Sequence, residues 1–177
     1  MRCMTPHRTT GGAGARVERA DPVAVVRRWE EEQGRRLVDA TLASWDDLDS
    51  EAVILARTAW RAPVPGGTAF WARRRYLSFD AEGAPDRLIE VQLLSGPQPC
   101  VRARHSDLLV AGALGDRYWI YALTSGSSGD VHLRTLQDPA SSAWDPVLPQ
   151  SAAVDHDPLW VLPLSRVRNR PVRLTAA

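Results

Sequence analysis

The chain has 177 residues, of which 44% are hydrophobic and 24% charged, a balance that fits one globular domain and excludes a charge-driven disordered chain. Its formal net charge of +1 excludes electrostatic attraction of the whole molecule to nucleic acid. Every basic residue apart from histidine is arginine, which excludes chemistry that needs a lysine amine or ammonium, such as a Schiff base or a P-loop lysine.

No apolar run approaches the roughly 20 residues that cross a bilayer, and the first residues lack the apolar centre of a signal peptide. The expectation is a cytoplasmic protein with no membrane partner. Two cysteines, Cys3 and Cys100, cannot build a disulfide framework. Cys100 reads as a small buried hydrophobe in or near a strand.

In chain order, residues 1–16 read as a disordered tail, because a Gly-Gly-Ala-Gly stretch interrupts a segment without apolar periodicity. A helix is expected next: Asp21 is an N-cap, Pro22 suits the first turn, and Val23, Val26 and Trp29 recur at helical spacing. Glu30, Glu31, Glu32 and Gln33 read as its solvated last turn, and Gly34 ends it. Short strands are expected at residues 36–42, 52–60 and 68–79, separated by an acidic turn and a Pro-Gly turn. Residues 87–94 alternate Leu88, Glu90, Gln92 and Leu94 on one face with Ile89, Val91 and Leu93 on the other. A helix is expected from His105 or Ser106 to Leu114, capped by Gly115. Then follow a continuous apolar strand at 117–124, typical of a sheet centre, and another at 131–136. Residues 159–164 read as a candidate edge strand before a basic tail with Arg166, Arg168, Arg170 and Arg173.

Taken together, Val17-Glu18, Gly34-Arg35, Ser78-Phe79-Asp80, Ile89-Glu90-Val91, Asp107-Leu108, Gly115-Asp116-Arg117-Tyr118-Trp119-Ile120-Tyr121 and Asp138-Pro139 form an ordered series of short motifs. In order and spacing the series resembles the NO VEIN C-terminal family, a branch of the restriction-endonuclease-like, PD-(D/E)xK superfamily. The resemblance covers residues 17–140 and implies an α/β domain with a mixed central sheet flanked by helices. Residues 141–177 are left as a C-terminal extension.

Nucleases of that fold hold a divalent cation between an Asp on one strand and a Glu on the next, and a Lys two residues beyond the Glu faces the same site. Two carboxylates suit Mg²⁺, a hard cation that prefers oxygen ligands and activates water. By resemblance Glu90 takes the Glu position, and the Lys position holds Gln92, which can hydrogen-bond but carries no charge. The Asp position falls on Arg75 if Ser78-Phe79-Asp80 anchors the alignment. It falls on Asp47 if Trp45-Asp46-Asp47-Leu48 does, with a long hairpin following. Glu18 matches a family acidic position. No metal is expected; if one were held, Asp47, Asp80, Glu90 and Glu18 are the candidate ligands, and Mg²⁺ the candidate cofactor.

His105, just before the second helix, is a candidate base or phosphate ligand, or else a capping histidine. Arg73 and Arg75 share a strand face and, with Arg102 and Arg104, are candidates for an anion patch, unless they serve as salt-bridge partners. Trp60 and Trp71 are candidates to stack a base or line a pocket, or else pack in the core. Three functions follow as expectations: a catalytically degenerate nuclease-fold module that binds nucleic acid or a protein partner; a repurposed enzyme with a small-molecule ligand near Glu90; and a divergent Mg²⁺-dependent nuclease.

Overall fold

A computed structural model describes residues 21–39, 75–83, 85–125, 130–147, 158–169 and 171–174. The expected strand at 52–60, the first part of that at 68–79, and the terminal tail lie outside the described residues.

Helix α1 (Pro22–Glu32) starts where expected: the Asp21 side chain accepts the Val23 backbone N–H at 3.0 Å, and proline occupies the first turn. Strands β1 (Arg36–Asp39), β2 (Arg75–Phe79) and β3 (Pro85–Leu94) pair as neighbouring antiparallel strands. β4 (Cys100–Arg104) leaves this sheet and runs directly into α2 (His105–Leu114). The Gly115 cap adopts φ +57, a conformation that suits glycine, and its N–H donates to the Ala111 carbonyl.

β5 (Tyr118–Ser125) then lies parallel to β3, which requires a crossover, supplied here by β4 and α2. β6 (Val131–Gln137) returns antiparallel to β5. Asp138 follows in the left-handed region, φ +46, which Asp tolerates better than most side chains, and a short 3-10 turn over Pro139–Ser141 begins there. The expected C-terminal extension is built into the fold. β8 (Leu159–Pro163) pairs with β4 on one side and with β7 (Asp145–Pro146) on the other in a three-stranded sheet, and β9 (Val172–Leu174) lies at the far edge of the main sheet against β6. The segment expected as an edge strand is therefore the middle strand of the smaller sheet, in the order β4-β8-β7. The main sheet runs β1-β2-β3-β5-β6-β9, so the fold is mixed α/β, and the described residues are mostly strand with few helices.

Strand alternation divides the core in two. On one face Leu77, Phe79, Leu88, Tyr118 and Ile120 pack with Val110, Ala111 and Leu114 of α2, Val101 of β4 and Leu162 of β8. On the other, Tyr76, Ile89, Tyr121, Leu123 and Leu133 pack with Val26 of α1. Both faces of β3 are thus covered, not only the aliphatic one. Cys100 opens β4 and is buried among the core residues. No described helix is long and apolar enough to cross a membrane.

Candidate functional site

Arg75, the first residue of β2, is the cross-strand partner of Glu90 on β3. On this strand Arg75 shares a face with Leu77 and Phe79, so its side chain enters the α2 side of the core, where Glu90 also points. Arg75 is 1% exposed, Glu90 5% and Asp107 2%. The Arg75 Nη2 group lies 3.0 Å from Glu90 Oε2 and donates to Asp107 Oδ1 at 3.1 Å. One guanidinium therefore binds two carboxylates.

Each carboxylate is held from a second side. The Tyr118 hydroxyl donates to Glu90 Oε2 at 3.0 Å, and the Gln92 amide donates to Glu90 Oε1 at 2.9 Å. Asp107 is the third residue of α2, and its Oδ2 accepts the Arg104 backbone N–H at 2.7 Å, a side-chain cap on the helix start. The positive end of the helix dipole favours a carboxylate there. Gln92 is also a strut between strands. Its amide N–H donates to the Arg102 carbonyl at 2.6 Å, and its amide oxygen accepts the Arg102 N–H at 3.0 Å, so the side chain continues β4's hydrogen bonding onto β3.

The electrostatics follow from burial and sign. Burial opposes the Arg75 charge, but Glu90, Tyr118 and Asp107 outweigh it and hold its pKa above the ordinary arginine value. Burial pushes the Tyr118 phenol well above its ordinary range; Arg75 works against that shift, and Glu90 and Asp107 add to it. Tyr118 is thus a neutral hydrogen-bond donor at physiological pH.

These residues do not fit a divalent cation. The space between the carboxylates is filled by a guanidinium, which would repel a metal ion, and no group of three His, Cys, Asp or Glu side chains among the described residues could hold one. Asp80 follows the other end of β2 from Arg75, about 16 Å along an extended strand, and its Oδ1 caps a turn by accepting the Glu82 N–H. It cannot share an ion with Glu90.

Of the other sequence candidates, His105 opens α2 half-buried, and its ring makes no hydrogen bond or ion pair among the described residues. Arg102 is exposed and Arg104 half-buried on β4, while Arg75 is turned inward to its carboxylates, so the expected anion patch does not gather around Arg75. Arg73, Trp60, Trp71, Asp47 and Glu18 lie outside the described residues.

A second polar cluster on the α1 face was not expected. Glu30, read as part of a solvated helix end, is fully buried. It accepts hydrogen bonds from Ser78 Oγ and the Tyr121 hydroxyl, both at 2.5 Å, and lies 3.6 Å from Arg87 Nη1. Arg87 donates to Tyr121 at 2.9 Å and stacks over Trp119, 4.4 Å from the ring centre. Burial raises the Tyr121 phenol above its ordinary pKa, Glu30 adds to the shift and Arg87 opposes it. The signal was available: Glu30 sits one helical turn from Val26, on the buried stripe of α1. Asp107 and Tyr118 were also missed as members of the Glu90 cluster, being quoted only as parts of motifs.

Fold and cluster define an α/β protein whose mixed sheet carries a closed ion-pair cluster on one face and a hydroxyl-bound carboxylate on the other. No family model, curated protein or solved structure matches the chain.

Proposed function

We propose that the chain is a restriction-endonuclease-like module of the NO VEIN C-terminal type that binds nucleic acid without cutting it. The order of the described elements supports the fold reading: three antiparallel strands, a helical crossover to a parallel fourth, an antiparallel fifth, and a described helix on each face. The observation that carries the loss of catalysis is the Arg75 guanidinium between Glu90 and Asp107. In this reading Arg75 stands where a nuclease carries its metal-binding Asp. The positive charge that a cation would supply is built into the chain, and Gln92 has become a strut in place of the lysine.

An internal cation keeps the fold closed in the absence of metal, and it removes the Lewis acid and the activated water that hydrolysis requires. The remaining role is recognition. Exposed Arg102 on β4 and exposed Arg168 near the C-terminus are suited to phosphate, since a guanidinium can bind two oxygens at once.

The test is a combined cleavage and gel-shift assay on single- and double-stranded DNA and RNA with Mg²⁺ or Mn²⁺, beside Glu90→Ala and Arg102→Ala. The expected result is a retarded band without cleavage, weakened by salt and by Arg102→Ala. Metal-dependent cutting that Glu90→Ala abolishes would restore the nuclease. Neither binding nor cutting would turn the reading to a protein partner.

A further inference from the structure

Away from both buried clusters, the carboxyl ends of parallel strands β3 and β5 open into a cavity of about 480 Å³. Its size falls in the range of small-molecule sites, and the carboxyl ends of parallel strands are where open α/β sheets bind ligands. The polar part is formed by Thr124 and Ser125 of β5 and by His132 and Arg134 of β6. Leu94 and Leu164 form part of the apolar wall.

Two features give this cavity a chemical preference. Among the described residues no Asp or Glu lines it. Arg134 makes no ion pair among the described residues; its Nη1 donates to the carbonyls of Val167 and Asn169, both at 3.1 Å, which braces the guanidinium. A guanidinium has five N–H donors, so two bonds from one nitrogen leave the Nε and Nη2 donors for a ligand. The His132 ring likewise has no hydrogen-bond partner among the described residues. A half-buried, braced arginine with no ion pair among the described residues, beside hydroxyls and an apolar wall, favours an anion with a small hydrophobic body.

We propose that this cavity binds a small organic anion, a carboxylate or phosphate monoester, with its charged head on Arg134 and its apolar part against Leu94 and Leu164. The site is independent of the Arg75 cluster and of whether the chain binds nucleic acid.

The experiment is an NMR titration of the ¹⁵N-labelled full chain with phenyl phosphate and, separately, benzoate, which tell a phosphate from a carboxylate head. The expected result is saturable shifts of Thr124, His132 and Arg134 with at least one probe, and at least a tenfold weaker affinity in Arg134→Gln. Because Arg134 also braces a loop, Ser95→Trp at the exposed rim provides a second variant that leaves the brace intact and blocks the cavity. It too is expected to abolish the saturable shifts. Absence of saturable shifts with both probes, shifts confined to exposed arginines such as Arg166 and Arg168, or wild-type affinity in Ser95→Trp would overturn the proposal.

Discussion

On the α2 face of the central sheet two carboxylates share one buried guanidinium; on the α1 face one carboxylate shares two hydroxyls and a part-exposed guanidinium. The first cluster sits at a helix start, where the dipole favours Asp107. In the second, Glu30 lies in the last turn of α1, where the dipole disfavours a carboxylate, so hydroxyl donors and Arg87 must offset both dipole and burial. The contrast shows which cluster depends on one residue. Removing Arg75 takes one shared ion-pair partner from two buried carboxylates at once, whereas each partner removed from Glu30 affects a single carboxylate.

That difference orders the expected effects. Arg75→Met should be the most damaging single change, costing about 3–5 kcal/mol because it removes one partner of two buried ion pairs; urea unfolding measures it. The double variant Arg75→Met with Glu90→Gln should recover part of the loss, and additive losses would show that the pair is not coupled. Glu30→Ala should cost less, about 1–3 kcal/mol, by leaving the Ser78 and Tyr121 hydroxyls without their acceptor. A loss equal to that of Arg75→Met would erase the contrast.

Alkaline titration sharpens it further. The folded-state pKa values of Tyr118 and Tyr121 are raised, so their contribution to stability is complete below the unfolded tyrosine pKa of about 10. It falls as pH rises above that value toward the folded-state pKa. Phenolate absorbance from these two tyrosines should therefore appear together with unfolding, and Tyr118→Phe should move alkaline unfolding to higher pH. The smallest expected effect is that of Gln92→Leu, about 0.5–1.5 kcal/mol for the lost bridge to Arg102, with Arg102 amide exchange rising.

Local pattern revealed the elements whose neighbours in sequence determine them. The caps and apolar spacing around Asp21 and Gly115 marked α1 and α2, and the alternation in β3 placed Glu90 and Gln92 on one face. The positions singled out by resemblance, Arg75 and Glu90, are cross-strand partners. Asp107 and Tyr118 were legible only as motif letters, because their roles depend on contacts 32 and 28 residues away in sequence, created by the crossover. Glu30 was misread because three consecutive glutamates look solvated when charge is weighed before helical phase. β8 looked like an edge because its partners, β4 and β7, are fixed by tertiary pairing and not by its own residues.

We propose that Arg75 takes the place of a metal ion. Mn²⁺ titration of the ¹⁵N-labelled protein tests it directly, since a bound paramagnetic ion broadens nearby amide signals. Arg75, Glu90 and Asp107 are expected to keep their line widths at Mn²⁺ concentrations that saturate ordinary metal-dependent nucleases. Selective, saturable broadening of those three, lost in Glu90→Ala, would contradict it.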